Sequence, residues 1–397
     1  MPRNRVIYQS EALFAAPTGL IALNRDDHNL RRVQSCNYNF AIQRQDINQY
    51  GELAAIDRLI IQEPTVAVDM TYYFEPSGFN EQHLGLRVNS YTDQITATGA
   101  SAIADHALDY IISSGANFDQ KNLFILVSDQ GIDANDTTAM AMPGKKGNYN
   151  GIIGIGNAFL TAYSVDIAVG AIPTVTCSLE GQNINFTGWG SVGIPPGLAS
   201  GAIPNPSIVN GSQVTDATDE NTYNYLPDGG GLFDATTEIS AVRPGDVTVL
   251  LSGNDADNNP ILGFSEQDLK VQSVNFAVTL GREPIRKLGS LFAFARELTF
   301  PINCTMSVSA IVGDTTGAKL FSLLSGCGDK KYNCAAKLVG YKADCNGTST
   351  SYIVLKGAKI DSQNITSSIG PNKTVTIQLS AQIGKNSGLH IYGSNIT

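Results

Sequence analysis

A chain of 397 residues, 42% apolar and 16% charged, is too long for one small core and suits two domains of ordinary size. Its 39 glycines and sparse charge exclude a helical bundle and favour a β-rich, loop-rich fold. The net charge of −10 excludes a protein that grips nucleic acid through clustered Lys/Arg, since "GKKG" at 144–147 and "DKK" at 329–331 are short and isolated. No apolar run reaches a membrane-spanning length; "FILV" at 124–127 is strand-sized. The start, "MPRNRVIYQSEALF", lacks the apolar stretch and cleavage site of a signal peptide, which predicts folding in a cytoplasm.

In chain order, 33–44 alternates with period two and reads as a half-buried strand, with Cys36, Tyr38, Phe40 and Ile42 against Ser35, Asn37, Asn39 and Ala41. Residues 45–64 carry Gly51 and an apolar-rich run, and fit either a short helix or an extended flap, with Gly51 at positive φ. Arg44 and Arg58 flank this segment; they either fix the loop by an ion pair or carbonyl contact, or reach an acid on another subunit. Residues 65–74 alternate again, Val66, Val68, Met70 and Tyr72 against Ala67, Asp69, Thr71 and Tyr73. Ile103, Ala107, Tyr110 and Ile111 share one helical face and predict a helix. The stretch "GIIGIGNAF" at 151–159 reads as a flexible loop. Residues 174–179 form another alternating strand. A Gly/Pro-rich connector containing the lone Trp189 follows, placed at 186–242.

The second part repeats the first. At an offset of 238, residues 33–58 match 271–296 at ten of 26 positions, including Val33, Gln34, Ser35, Asn37, Arg44, Gly51 and Arg58. Arg282, Gly289 and Arg296 fall where Arg44, Gly51 and Arg58 do. "LDYIISSG" (108–115) then resembles "KLFSLLSG" (319–326), "FILVSDQGID" (124–133) resembles "YIVLKGAKID" (352–361), and "TVTCSLEGQ" (174–182) resembles "TVTIQLSAQ" (374–382). Blocks in one order predict a duplicated domain: copy one at 1–185 and copy two at 243–397. Copy one then carries insertions near 75–107 and 139–160.

The expected solvent faces of these strands carry Ser, Thr, Asn and Ala where Lys and Glu are usual. The candidates are Ser35, Asn37, Asn39, Asp69, Thr71, Ser273, Asn275, Thr279, Thr305 and Ser307, with Asp69 the only charge among them. Two readings fit equally: a polar sheet in water, with Thr present for β-propensity, or the wall of an aqueous channel. Unpaired sheet edges invite partners, and a ring of sheets removes every edge.

Chemistry is not visible. His28, His83, His106 and His390 form no metal-spaced pair, and no nucleophile or phosphate-loop motif occurs. "DANDTT" (133–138) and "GNDADNNP" (253–260) lack calcium-loop spacing and read as turns. Cys36, Cys177 and Cys304 read as core residues. Cys327, Cys334 and Cys345 lie in a loop-like stretch as three reduced thiols, or as one disulfide with a spare thiol. No catalytic residue, cofactor or metal is expected, and the chain is not read as an enzyme.

The stretches "RVIYQSEALF", "RVQSCNYNFAIQRQDINQYGELAAIDRLIIQEPTV" and "KVQSVNFAVTLGREPIRKLGSLFAFARELTFP" resemble the major tail tube protein of tailed bacteriophages, in the long form with two fused tube domains. The resemblance implies a mainly β fold with minor α, each copy a β-sandwich or half-barrel with one helix. It implies homotrimeric, pseudo-sixfold rings of about 24 inner strands, stacked into a tube. The ten polar residues named above are then lumen-facing candidates, and Arg44, Arg58, Arg282 and Arg296 inter-subunit contacts. Implied partners are further copies of the chain, a tail terminator, a baseplate or tip, a sheath where one exists, and genomic DNA passing without sequence-specific binding. The implied location is the virion tail, assembled in a bacterial cytoplasm. The competing readings are another virion ring or decoration protein, and a tandem β-sandwich binding module; a lone Trp in a connector is poor material for an aromatic binding patch.

Overall fold

The computed structural model describes residues 11–17, 29–60, 64–90, 106–113, 119–128, 149–188, 242–250, 269–288, 293, 295–312, 331–341, 348–367, 372–384 and 387–393. The expectations made for Ile103, 133–138, Trp189, 253–260, Gly289, 319–326, Cys327 and Cys345 lie outside these residues. The described chain is mainly β, and among these residues no helix is long and apolar enough to cross a membrane.

Four antiparallel strands of the first half lie side by side: β2 (Val33–Ala41), β5 (Thr65–Tyr73), β9 (Thr174–Gly181) and the C-terminal part of β8 (Tyr149–Ala168). In the second half β12 (Leu269–Thr279), β15 (Asn303–Val312), β18 (Thr374–Gln382) and the C-terminal part of β17 (Thr348–Thr366) do the same. β12 also pairs with β8, so the order runs β17-β18-β15-β12-β8-β9-β5-β2 as one continuous sheet. The period-two alternation of these sequences is what places them so. Val66, Val68, Met70, Tyr72, Cys177, Leu179, Cys304, Met306, Val308, Ile377 and Leu379 all point into the core. Among the described residues the sheet does not close on itself within one chain.

A second layer supplies the other wall of the core. In the first half the N-terminal part of β8 pairs with β7 (Gln120–Ser128) and β10 (Asn183–Gly188), and β7 with β1 (Glu11–Pro17). In the second half the N-terminal part of β17 pairs with β16 (Tyr332–Tyr341) and β19 (Gly388–Gly393), and β16 with β11 (Val247–Leu250). Each long strand therefore serves both layers and must bend between them.

The bend is built alike in both halves. Asn157 (φ 50°) and Gly357 (φ 66°) take the left-handed backbone that Gly and Asn tolerate best. The Asn157 N–H donates to Asn122 Oδ1 at 3.1 Å, and the Gly357 N–H to Asn333 Oδ1 at 2.9 Å. Asn122 and Asn333 sit at the register breaks of β7 and β16. A residue surplus to the ladder thus satisfies the amide that the bend frees. Further along, β8 breaks register between Leu160 and Ala162, and β17 between Ile360 and Ser362, 200 residues on in each case.

Between β5 and β7 lie two short helices, α1 (Phe79–His83) and α2 (Asp109–Ser113), with β6 (Val88–Ser90) between them. β6 runs parallel to β19, Val88 opposite Ile391, and the Ala107 N–H donates to Leu389 O at 2.7 Å. First-half residues therefore cover an edge of the second half. Helix α1 is pinned from below: Tyr72 and Tyr163 hydroxyls donate to Glu81 Oε1 at 2.9 and 3.2 Å.

Several expectations need correction. The strand 352–361 corresponds to 152–161 and not to 124–133, because both run into the same bulge, where 359 and 360 pair with 380 and 379 as 159 and 160 pair with 180 and 179. Residues 149–160 are consequently strand, neither loop nor insertion; glycines at 151, 154 and 156 hid the alternation. Cys334 lies in β16, buried as a free thiol, not in a loop. One helix per half was expected; among the described residues both α-helices belong to the first half, and the second carries a 3-10 turn at Pro244–Asp246.

Burial raises the Glu81 carboxyl from 4.5 to about 7, with Glu75 adding to the effect and the tyrosine bonds opposing it. The folded state binds this proton more tightly than the unfolded one. Its stabilisation is fully present below pH 4.5 and is lost as pH rises through about 7. In chemical denaturation between pH 4.5 and 8, Glu81→Gln is expected to remove this component of the pH dependence.

Candidate functional site

The face of the eight-strand sheet turned away from the core carries small and polar residues, with Ala67, Ala162, Ala168 and Ala277 among the polar ones. Register places Asn37 opposite Asp69 and Asp69 opposite Ser178. Another row runs Ser362, Gln378, Ser307, Asn275, Asp166 and Thr174 across both halves. Directly opposed residues share a face, so Ser35, Asn37, Asn39, Asp69, Thr71, Ser273, Asn275, Thr279, Thr305 and Ser307 all lie on it, none of them buried. Local bonds order it: Ser35 with Thr71 at 2.6 Å, and the Ser178 hydroxyl to Asp69 Oδ1 at 2.6 Å. Asn275 Nδ2 donates to Asp166 Oδ1 across the junction of the halves. Asp166 was missed by sequence reasoning. The signal was present, since Tyr163, Val165 and Ile167 alternate with Ala162, Ser164 and Asp166.

The segments between the first two strands of each half are β-hairpins, which decides for the flap over the helix. β3 (Arg44–Ile47) pairs with β4 (Asp57–Ile60), and β13 (Arg282–Ile285) with β14 (Ala295–Leu298). Gly51 takes φ 93°, as expected of it.

The four arginines divide in two pairs. Arg282 donates to both carboxylate oxygens of Asp119, at 2.8 Å through Nη1, and through Nε to Leu160 O at 3.1 Å. Arg296 pairs with Glu180, and both guanidinium groups lie over the Phe159 ring, 4.9 and 5.9 Å from its centroid. Both acids and the aromatic platform come from the first half; both arginines come from the second. Arg58 instead pairs with Asp46 of its own hairpin in the open, and Arg44 makes no ion pair among the described residues. Neither Asp119 nor Glu180 was singled out from the sequence, because the contact spans more than a hundred positions and has no local signature.

The junction exposes a contrast between equivalent residues. Phe276 and Val278 in β12, and Leu280 just after it, are at most 2% exposed. Their counterparts Tyr38, Phe40 and Ile42, at the open β2 edge, are 37%, 41% and 39% exposed. On the other side of the junction Val165 is fully buried, while its counterpart Ile365 on the open β17 edge is 45% exposed. What β8 and β12 bury against each other, β17 and β2 leave in solvent.

Among the described residues no group of three or more His, Cys, Asp or Glu is placed to hold a metal ion. The chain matches no protein-family model and no curated protein.

Removing one member of a buried ion pair leaves the other charge unpaired. In urea denaturation of the monomer, Arg282→Ala is expected to lose roughly 3–5 kcal/mol. The counterpart Arg44→Ala should lose less than about 1 kcal/mol, as expected of an exposed arginine.

Proposed function

We propose that this chain is a self-assembling wall protein: two tandem tube domains that associate through their open edges into trimeric, pseudo-sixfold rings, stacked as the tail tube of a bacteriophage. The observation that carries the reading is the β8–β12 junction. It joins the C-terminal part of the long strand of one half to the first strand of the other. Repeating that join between molecules uses the two edges left open, β17 and β2. Each domain would then stand in the same relation to its neighbours, which is the condition for a closed ring.

The exposed residues agree with this. Tyr38, Phe40, Ile42 and Ile365 are already more than half covered, so burying the remainder contributes roughly 1–2 kcal/mol each. A single contact of that size is comparable with the association cost of about 4–15 kcal/mol. Closure adds the last junction without immobilising a further molecule, so complete rings are favoured over open oligomers. The ten polar residues would line the channel. Their side chains are short and, Asp69 apart, uncharged; register adds Asp166, Glu180 (paired with Arg296) and Lys359 to the same face, so few cations are there for a passing polyanion to hold. DNA transit, the virion location and contacts with terminator, baseplate or sheath proteins belong to this reading through the sequence resemblance.

Light scattering and negative-stain imaging of the purified chain test it. Particles of three times the 42.2 kDa chain mass, or hollow tubes built from them, are expected. Ile365→Asp, which sets a charge on the open edge, should shift the population to monomer without altering the far-UV spectrum. Monomer alone at all concentrations of the wild-type chain would overturn the reading.

A further inference from the structure

The junction inside the chain can be transposed onto the open edges residue by residue. Within the chain Phe276 lies opposite Val165, Asn275 opposite Asp166 and Val278 opposite Tyr163. The β2/β12 correspondence (33 with 271) and the β8/β17 correspondence (160 with 360) convert these to Tyr38 opposite Ile365, Asn37 opposite Thr366 and Phe40 opposite Gln363. Both members of the Tyr38–Ile365 pair are exposed in the monomer.

The Arg296 part of the electrostatic lock does not transpose. Glu180, which holds Arg296, corresponds to Ser380, and the Phe159 platform corresponds to Lys359. The open edge thus presents a cation where the internal junction has an aromatic ring. One substitution acts the other way. Thr161, at the bulge beside the Leu160 carbonyl that receives Arg282, corresponds to Asp361. The Thr161 hydroxyl donates to Ser178 O at 3.0 Å. An aspartate carboxylate has no proton for that bond, and Asp361 is exposed.

Resting on the ring reading above, we propose that molecules join with Tyr38 of one opposite Ile365 of the next, and that Arg44 of the first pairs with Asp361 of the second. The internal junction is locked by ion pairs of buried arginines made at folding. The external one is held by a single exchangeable pair, with Lys359 beside it, and is therefore the salt-sensitive joint of the ring.

The test is a charge exchange, read as the fraction of protein in rings or tubes by sedimentation at low and high salt. Asp361→Arg, which sets a third cation beside Arg44 and Lys359, should lower that fraction at least tenfold. Adding Arg44→Asp to it should restore assembly to within about threefold of wild type. Both positions are exposed, so the monomer's melting temperature should stay within a degree or two. Register is read separately: Tyr38→Cys with Ile365→Cys should cross-link between chains on oxidation, and Tyr38→Cys with Ile360→Cys should not. Assembly of Asp361→Arg at the wild-type level, or failure of the double variant to recover, overturns the pair while leaving the ring standing. Absence of assembly by the wild-type chain overturns the ring itself.

Discussion

An antiparallel sheet must give each outer strand somewhere to spend its free amides and carbonyls, and this molecule is arranged around that constraint. The first strand of the second half meets it by docking on the long strand of the first. The hairpin β13–β14 then reaches over the same long strand, and Arg282 and Arg296 find their acids there. The parallel contact of β6 with β19 closes a second edge in the outer layer. Junction, ion pairs and covering insertion all act on one boundary, so the two halves are welded at the level of backbone, charge and core together.

Among the described residues the same constraint is unmet at the two ends of the sheet. The contrast between Phe276 and Tyr38, or Val165 and Ile365, is informative because local sequence pattern is held nearly constant while environment changes. Exposure of a lone aromatic says little. Exposure of a series of residues whose equivalents are buried in the same chain marks the difference between a sheet junction and a sheet end that no described strand covers.

The alternating strands were legible from the sequence because half-buried sheets write their environment directly into residue order. Val66 to Tyr72 and Cys304 to Ala310 face where period two puts them. The hairpins, the first with Gly51 at its turn, were legible as flaps only once register resolved them. The long strands were not legible over their first halves. Gly151, Gly154 and Gly156 remove side chains from one stretch, and a strand that crosses between two layers changes which face is buried midway. The matching of 124–133 to 352–361 failed for a related reason, since short apolar runs of Ile, Leu and Val resemble one another whichever neighbour they pair with. The acids Asp119 and Glu180 left no trace because an ion pair between distant segments has no period.

The shared long strands have a mechanical meaning. β8 and β17 each run unbroken from the outer layer into the inner one, turning at Asn157 and Gly357 under the grip of Asn122 and Asn333. A pull applied to the outer layer therefore reaches the inner wall along a covalent backbone, with no packed interface to slip in between. The layers cannot be peeled apart as two sheets of an ordinary sandwich can. Load is shared among many ladder bonds stressed at once.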